Sequence, residues 1–561
     1  MALSFRKSSG EESGGDIAPV TGQRNGEISD SSAPRGVDEK GAPLPVASGA
    51  DDQPGRRSSG SHGLGETTDT QLQRGLSGRH LNFIAIGGAI GTGFFIGSGA
   101  ALEKAGPVGC LIAFIFVGTI LWTVMVSLSE MATYLPTAGA FSVYATRFVD
   151  PSLGFALGWL YWFSWAITFA LSLTAAGLTI QYWNADFNIG IIIAIFWVTF
   201  TAVNFLPVRI YGELEMWLSS LKVITIVGWA IFAICMAGGT GQEGRLGFKY
   251  WKDPGPFSEH LVSGNTGKFV GFWAVLIQAS LSYQGAELVG VGAGEARNPR
   301  KTVPRAIRTT FWGILVMFVS CIFLLGLVVP SNDPALLSES SNASASPLVI
   351  AAKRAGVKAL PDIINAVLLT AVLSAANSNV YSASRTLVAL ADEGQAPRIF
   401  ARTDKRGIPY WSVMLTSAVG LLAFLNLSAA GGRVFNWLLN ISGVAGLITW
   451  AGTCWAFLGF RRAALAQGLS RDELPYRSPW QPWTAYYGIF FCLLVTLTQG
   501  FTVFMRWSTS DFFGAYISLI LFVLLLVGHK LWDRSPMVDP READLVKGRI
   551  DYARDPMGMG I

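Results

Sequence analysis

The sequence predicts an all-helical protein that crosses a lipid bilayer many times. Of its 561 residues, 51% are hydrophobic and only 14% are charged, whereas soluble domains carry about a quarter charged residues. Apolar runs near or above about 18 residues, long enough to cross a hydrocarbon core, recur along the chain. A soluble protein would have to bury many helices that are apolar on every side within one domain. The scaling of surface with volume makes such a domain implausible.

The first part of the chain has a different composition. Residues 1–78 are rich in Gly, Ser, Pro, Asp and Arg and lack apolar periodicity. Such a segment cannot bury enough apolar surface to offset its chain entropy, so we predict a disordered cytosolic tail. The tail also lacks the apolar core of a signal peptide, so the first span is expected to act as the insertion signal.

Twelve membrane spans are predicted after this tail. Their approximate ranges are 81–103, 109–134, 153–182, 189–206, 213–237, 269–294, 306–329, 361–391, 409–427, 433–459, 484–505 and 512–532. Basic residues concentrate in the loops after spans 6, 8 and 10, which share one side if the spans alternate. The positive-inside rule makes this side cytoplasmic, so both termini are expected in the cytosol. Asn342 opens a glycosylation sequon on the opposite side.

Several classes of function find no support in the sequence. The five cysteines lie inside apolar runs and the four histidines are scattered, so no spacing matches a metal site or a disulfide framework. We therefore predict neither a metal nor another cofactor, and no enzymatic activity. The net charge of +5 reflects basic loops rather than a surface for nucleic acid.

Two spans are predicted to be broken at mid-membrane depth. Residues 86–94 of span 1 read IGGAIGTGF, and each glycine weakens a helix by roughly 1 kcal/mol relative to alanine. Span 6 carries a matching polar interruption, SLSYQGAE, at residues 280–287. Unwound backbone is tolerated there only beside protein or a polar cavity. Breaks five spans apart indicate an inverted repeat of five plus five helices.

The breaks suit a ligand with one negative and one positive end. Free N–H groups of the half-helix starting near Gly93 would attract a carboxylate. Unpaired carbonyls near Ala89, Ile90, Ser282 and Tyr283 would accept hydrogen bonds from an ammonium group. These two ends are common to all α-amino acids. The alternative is that the small residues of span 1 only allow close helix packing.

Two charged residues are predicted inside the membrane. An ionised Lys222 within span 5 costs at least about 3 kcal/mol, so it should face the bundle interior, beside Ser219 and Thr225. Burial disfavours the charged form of an amine, which makes Lys222 a candidate for proton coupling. The alternative is a structural anchor on carbonyls of span 1. Glu287 follows the second break and is expected to pair with a cation or to stabilise that half-helix.

A stripe of hydroxyl groups marks one face of span 3. Ser164, Thr168 and Ser172 are spaced at i, i+4 and i+8 on an otherwise apolar helix. Span 10 opens with a comparable polar patch of Asn436, Asn440 and Ser442. We interpret these groups as the lining of a wet cavity facing the breaks. Small hydroxyls also often bond back to their own helix, which is the alternative.

These motifs resemble the fungal-type amino-acid permeases of the amino acid–polyamine–organocation superfamily. The resemblance runs from about His80 to the last span. It is carried by GGAIGTG at 87–93, SEMATYLP at 129–136, YQGAELVG at 283–290, GEARNPRK at 294–301 and SAANSN at 374–379. Within the family, YWFSWAITFAL at 161–171 and WLLNISGVAG at 437–446 are most similar to basic amino-acid (arginine/lysine) permeases.

The resemblance implies a plasma-membrane proton symporter that works by alternating access. Its first ten spans, residues 79–460, would form the transport core; 461–532 would hold spans 11 and 12, and 533–561 a cytosolic tail. Its partners would be an amino acid, protons and the lipid bilayer. Lys7 and Lys40 would be candidates for ubiquitination.

The resemblance also assigns roles within the site. It implies carboxylate binding at Thr92 and Gly93 and ammonium binding around Ser282 and Tyr283. Ser164 and Ser442 would select the side chain of the substrate, and Lys222 would couple transport to protons. Gly91 and Gly285, which lie in the two breaks, complete the predicted substrate site, and Glu287 joins Lys222 as a candidate coupling residue.

One residue departs from the pattern of the basic permeases. Where they carry a glutamate in span 3, this sequence has Ser172, so the natural counter-ion of a cationic side chain is missing. Three hypotheses therefore stay open. They are proton-coupled uptake of basic or related amino acids, transport of a specialised amine or alkaloid-type metabolite or its amino-acid precursor, and a permease-like nutrient receptor.

Overall fold

The computed structural model describes residues 78–549, apart from 96, 138, 185, 296–297, 338–345, 405, 428–430 and 506. The predicted disordered tail with Lys7 and Lys40, and the Asn342 sequon, lie outside the described residues. Within the described part, the regular secondary structure consists of α-helices and short 3-10 turns, without strands. The predicted all-helical fold class is thus confirmed.

The helices are numbered in chain order. The first seven are α1 (Gly78–Ala89), α2 (Thr92–Phe95), α3 (Gly97–Tyr134), α4 (Ala140–Phe148), α5 (Pro151–Ile180), α6 (Ile189–Val203) and α7 (Val208–Gly238). The next six are α8 (Lys249–Lys252), α9 (Gly264–Tyr283), α10 (Leu288–Val291), α11 (Pro299–Val328), α12 (Pro334–Leu337) and α13 (Pro347–Ala355). The last six are α14 (Leu360–Asp392), α15 (Tyr410–Gly420), α16 (Gly431–Ala466), α17 (Trp483–Thr498), α18 (Phe501–Met505) and α19 (Thr509–Asp533).

Nine helical segments of the described chain are long and apolar enough to cross a membrane. They correspond to predicted spans 2, 3, 5 and 7–12. The other three predicted spans fall short for local reasons. Span 4 is the short helix α6. Span 1 is divided between α1, α2 and the start of α3, and span 6 is divided between α9 and α10. The total of twelve spans therefore stays a prediction.

A sharp turn at Gly106 separates the end of span 1 from span 2 inside α3. Gly106 has φ 73° and ψ 173° and is followed by Pro107. A Cβ at Gly106 would lie 2.6 Å from the backbone nitrogen of Ser258, so only glycine leaves room for the passing loop. Ser258 also donates its backbone N–H to the carbonyl of Ala105 at 3.2 Å.

The centre of the bundle is formed by α5 and α16. In their most apolar windows, 83% and 89% of residues are buried, against 28% in α7 and 22% in α19. Close approach of the two central helices depends on Gly452, where a Cβ would lie 2.3 Å from Leu157. The outer helices expose large apolar side chains such as Trp217, which is 72% accessible. A water-soluble surface rarely carries so much apolar area, whereas a lipid-facing surface requires it.

The last described segment packs against helix ends rather than leaving the protein. Val538 donates its backbone N–H to the carbonyl of Val149 at 3.0 Å, and Arg147 donates to the carbonyl of Lys547 at 2.7 Å. Leu545 is buried. The pKa of Asp544 in this segment is lower than usual. Partial burial by itself would raise this pKa, but hydrogen bonds from the backbone N–H groups of Lys547 and Val546 stabilise the carboxylate and lower it.

Candidate functional site

The first helix break lies between α1 and α2. Ile90 and Gly91 form bends there, and both are buried together with Ala89 and Gly93. A Cβ at Gly93 would lie 3.2 Å from the backbone nitrogen of Ser282, so the small residue lets α9 come close. Of Thr92, only the backbone belongs to the described part of the chain; its side chain lies outside it.

The second break lies between α9 and α10 and touches the first. Gly285 has φ +100°, and a Cβ there would lie 2.6 Å from the carbonyl carbon of Gly88 and 2.7 Å from the nitrogen of Ala89. The two breaks therefore pack backbone against backbone, and only glycine fits between them. The predicted breaks meet at one place in the bundle.

The side chains of Ser282 and Tyr283 are used by the protein itself. The Ser282 hydroxyl donates to the carbonyl of Gln278 at 2.9 Å, one turn back in its own helix. The Tyr283 hydroxyl donates to the carbonyl of Phe114 on α3 at 3.1 Å. Both residues are buried. These two hydroxyls anchor α9. The groups left to bind a ligand at the break are therefore those of the backbone.

A cluster of polar side chains lies beside the second break. Ser164 donates to the carbonyl of Ser442 at 3.3 Å, and the hydroxyls of Thr168 and Ser442 are hydrogen-bonded. The amide nitrogen of Gln284 donates to the carbonyls of Ser442 and Gly443 at 3.1 and 3.2 Å. Three elements, α5, the second break and α16, therefore converge through polar contacts.

Ser172 belongs to a different contact from the other two members of the stripe. The Asn379 side-chain amide of α14 donates to the Ser172 hydroxyl at 3.1 Å, and both residues are buried. The predicted stripe is thus divided, because Ser164 and Thr168 face α16 whereas Ser172 faces α14. No charged side chain accompanies the Ser172–Asn379 pair in these hydrogen bonds.

Lys222 is bonded to the first break. Its ammonium nitrogen donates to the carbonyl oxygen of Gly87 at 2.7 Å, and Glu215 Oε1 lies 3.9 Å from it. Lys222 and Glu215 are both essentially inaccessible. Ser219 lies on the same face of α7 as Lys222, as expected, and donates to Glu215. Thr225 instead donates its hydroxyl to the Leu221 carbonyl of its own helix.

Glu215 was not predicted as a site residue. Its Oε1 accepts hydrogen bonds from Ser219 at 3.1 Å and from Ser374 of α14 at 2.8 Å. A Cβ at Gly87 would lie 2.1 Å from this same oxygen, so the glycine makes space for the carboxylate. The available signal was spacing, since Glu215, Ser219 and Lys222 recur at i, i+4 and i+7 on one helical face.

Gln284 and Asn379 lie within two of the family motifs, but the sequence did not predict them as site residues. Gln284 reaches α16 because Gly446 has no side chain; a Cβ there would lie 1.6 Å from the Gln284 amide nitrogen. Asn379 meets Ser172 only because α5 and α14 pack side by side in one register. Neither arrangement follows from the spacing within a single helix.

Glu287 stabilises the second break in the described structure. Its Oε2 accepts a hydrogen bond from the backbone N–H of Gly285 at 3.1 Å. The Tyr161 hydroxyl and the Trp450 indole N–H are buried near this carboxylate but form no hydrogen bond within the described structure. Glu287 thus holds the turn between α9 and α10 without capping the start of α10, and its role in coupling stays a prediction.

Helices that break at one place inside an apolar bundle, beside a buried lysine, are the features of a secondary-transporter type of membrane protein. The family model described as "Amino acid permease" matches residues 80–539, and this chain belongs to that family. The predicted resemblance is confirmed, and the chain is a permease rather than an enzyme.

Two curated relatives illustrate the similarity. A basic amino-acid permease of Saccharomyces cerevisiae is 46% identical over 466 residues, covering 82% of this chain and 81% of the relative. A proline-specific permease of Emericella nidulans is 42% identical over 495 residues, covering 86% of this chain and 90% of the relative.

The fold is similar to that of a solved transporter. A crystal structure of a manganese transporter of Eremococcus coleocola matches with a TM-score of 0.51 at 14% sequence identity, covering 85% of this chain and 96% of that one. At this identity the likeness concerns the fold alone.

Proposed function

We propose that this chain is a proton-coupled amino-acid symporter of the plasma membrane that works by alternating access. Twelve spans would cross the bilayer, with spans 1–5 and 6–10 as an inverted repeat within residues 79–460 and both termini in the cytosol. The observation that carries the proposal is the contact between the two helix breaks, with Lys222 bonded to the first of them.

The breaks supply the two halves of a site for an α-amino acid. The first N–H groups of a helix lack partners within it, so those at the start of α2 suit the substrate carboxylate. Carbonyls beside the breaks, near Ala89, Ile90, Ser282 and Tyr283, suit the ammonium group. Because these groups belong to the backbone, they recognise what every amino acid shares, and the neighbouring side chains select among amino acids.

Lys222 would link protons to this site. A protonated Lys222 donates to the Gly87 carbonyl, only a few residues before the bends at Ile90 and Gly91. A neutral amine donates a weaker hydrogen bond than an ammonium group, so deprotonation would loosen the hold of α7 on the first break. Substrate and proton would then affect the same backbone, which is what thermodynamic coupling between two sites requires.

The cargo is proposed from the polar side chains around the breaks. Similarity to the relative named as a basic amino-acid permease supports basic or related amino acids as the cargo. The relative named as proline-specific is nearly as similar, so similarity alone does not fix the charge of the cargo. The uncharged Ser172–Asn379 pair favours a second candidate, transport of a specialised amine or alkaloid-type metabolite or of its amino-acid precursor.

Uptake into yeast cells that lack their own amino-acid permeases tests the proposal. We expect labelled amino acids to accumulate and the accumulation to collapse when a protonophore removes the proton gradient. Competition by each of the twenty amino acids and by cyclic amines would define the cargo. Uptake that persists unchanged with the protonophore would contradict proton coupling. Substrate-dependent signalling without measurable uptake would instead support a nutrient receptor.

A further inference from the structure

A line of polar groups follows the interface of α7 and α14 from Lys222 toward the Val208 end of α7. In the proposed topology this end is cytoplasmic. Glu215 and Tyr211 lie two and three helical turns from Lys222, and eleven residues of helix from Lys222 to Tyr211 span about 16 Å. Half of a hydrocarbon core is about 15 Å, so this line reaches from mid-membrane to the interface.

The first group of the line is the carboxylate of Glu215. Its Oε1 lies 3.9 Å from the Lys222 ammonium and accepts hydrogen bonds from Ser219 and Ser374. Its Oε2 is buried and has no hydrogen-bond partner among the described residues. A carboxylate oxygen without a partner in an apolar bundle is costly, whereas a carboxylic acid or a bound water removes part of that cost.

The line continues at Tyr211, one turn from Glu215. The Tyr211 hydroxyl donates to Ser378 of α14 at 3.3 Å. Its ring stacks on Tyr381 with centroids 4.0 Å apart, and the guanidinium of Arg385 lies 3.6 Å from the Tyr381 centroid. A small cavity lined by Tyr211, Tyr381, Arg385 and Asn204 lies at this end.

We infer that Glu215 accepts the proton that Lys222 carries and releases it toward the cytoplasm along Tyr211 and Ser378. This inference rests on the proposed proton coupling. An N–H bond of the Lys222 ammonium breaks and its electron pair stays on nitrogen, while an O–H bond forms on Glu215. The acid then gives its proton to water at the cytoplasmic end, and Lys222 takes up the next proton from the outer side.

The charges around Glu215 are consistent with this role. Electrostatic interactions link Glu215 to Lys222 and to Tyr211, both on α7. The element α1 contributes the Gly87 backbone, and α14 contributes the Ser374 hydroxyl, neither of which titrates. The Lys222 nitrogen lies 3.9 Å from the carboxylate, beyond a direct hydrogen bond, so the transfer requires one bridging water or a rotation of the ammonium group away from the Gly87 carbonyl.

A purely structural role for Glu215 predicts a different result, because a structural residue supports every step of transport. The test compares two activities of the purified full chain in liposomes, using a radiolabelled mixture of amino acids. Exchange is measured without a pH gradient, and accumulation is measured with acid outside. Internal pH is followed with trapped pyranine. The variants are Glu215→Gln and Tyr211→Phe, with Glu213→Gln as the control, since Glu213 is exposed on the same helix.

For Glu215→Gln we expect exchange close to that of the wild type, with accumulation and substrate-driven acidification reduced about a hundredfold. Tyr211→Phe should reduce accumulation and acidification by a smaller factor than Glu215→Gln does. Glu213→Gln should change neither accumulation nor acidification. Wild-type accumulation by Glu215→Gln would overturn the inference. An equal loss of exchange and accumulation in Glu215→Gln would also overturn it, because it would indicate a structural role. A wild type that exchanges but never couples to the gradient refutes the proposed function itself, and is recognised without any variant.

Discussion

The ammonium of Lys222 lies 2.7 Å from the carbonyl oxygen of Gly87, so the buried cation of α7 holds the backbone of the first helix break. A lysine inside a membrane protein needs partners that compensate for lost water. Here one partner is a backbone carbonyl and the other is the Glu215 carboxylate at 3.9 Å. The same contact thus serves the stability of the bundle and the geometry of the proposed substrate site.

Replacing Lys222 by arginine should separate these two roles. The Lys222→Arg side chain still donates hydrogen bonds but does not release its proton near neutral pH. We expect exchange of amino acids to persist and gradient-driven accumulation to fall to background. Lys222→Met, which has no donor, should lose both. Lys358→Arg, at an exposed position, is the control. Normal accumulation by Lys222→Arg would contradict a coupling role.

A methyl group at Gly285 should strongly reduce transport. In Gly285→Ala the new Cβ would meet the backbone of Gly88 at 2.6 Å, and φ +100° is unfavourable for alanine. Strain of this kind costs about 1–3 kcal/mol, so we expect initial uptake rates to fall roughly tenfold or more. Gly313→Ala is the matched control, because a Cβ there meets nothing within 4 Å. Equal uptake by the two variants, at equal surface expression, would refute the importance of this contact.

A carboxylate at position 172 should favour cationic cargo. Ser172→Glu places a negative charge next to Asn379, in a region where the present pair is neutral. We expect arginine and lysine to compete about tenfold better against the preferred substrate, which corresponds to 1.4 kcal/mol. Asn379→Asp, which changes the other member of the pair, should shift preference in the same direction. An unchanged competition profile in both variants would exclude this pair from substrate selection.

An ion-pair network outside the predicted spans should make stability depend on pH. Arg354 of α13 donates to Glu243 at 2.6 Å and to Asp333 at 2.7 Å, and Tyr250 donates to Glu243 at 2.6 Å. The pKa of Glu243 lies below its ordinary 4.5. Partial burial by itself would raise this pKa, but the Tyr250 hydrogen bond and the Arg354 charge lower it by a larger amount. Since the pKa is depressed on folding, Glu243 stabilises the protein above pH 4.5, and this contribution is lost as pH falls through the folded-state pKa.

The network is tested by the thermal stability of Glu243→Gln in detergent. It should be less stable than the wild type near neutral pH, by about 1 kcal/mol or less. The difference should shrink in acid, as the wild-type carboxylate becomes protonated. Glu259→Gln, at an exposed position in the following loop, should show no such trend. A constant difference at every pH would argue against an electrostatic contribution.

The sequence predicted the features that depend on local composition. Glycine and polar residues at mid-membrane depth predicted breaks where α1 and α9 end, and the position of Lys222 within an apolar run predicted its burial. It did not predict Glu215, because a carboxylate close to the predicted start of span 5 is typical of a solvated helix end. The carboxylate is buried only because Gly87 leaves space for it and Ser374 reaches it from a distant helix.

Contacts between side chains of different helices could not be predicted from the sequence either. The contact of Asn379 with Ser172 depends on the register of α5 and α14, and the reach of Gln284 into α16 depends on the absent side chain of Gly446. Periodicity shows which face of a helix is polar but not which neighbour that face meets. The turn at Gly106 falls in the predicted connection between spans 1 and 2, but its packing against the loop that passes over it depends on a distant part of the chain.

The neutral Ser172–Asn379 pair has an electrical consequence. If one proton accompanies each substrate molecule, a cationic amino acid brings two positive charges inward per cycle, whereas a neutral one brings a single charge. Each charge gains about 2.3 kcal/mol per 100 mV of membrane potential, so the two kinds of cargo differ in their driving force. The recorded current divided by the labelled uptake therefore reports the charge of the transported molecule, which tests whether this uncharged pair selects a neutral one.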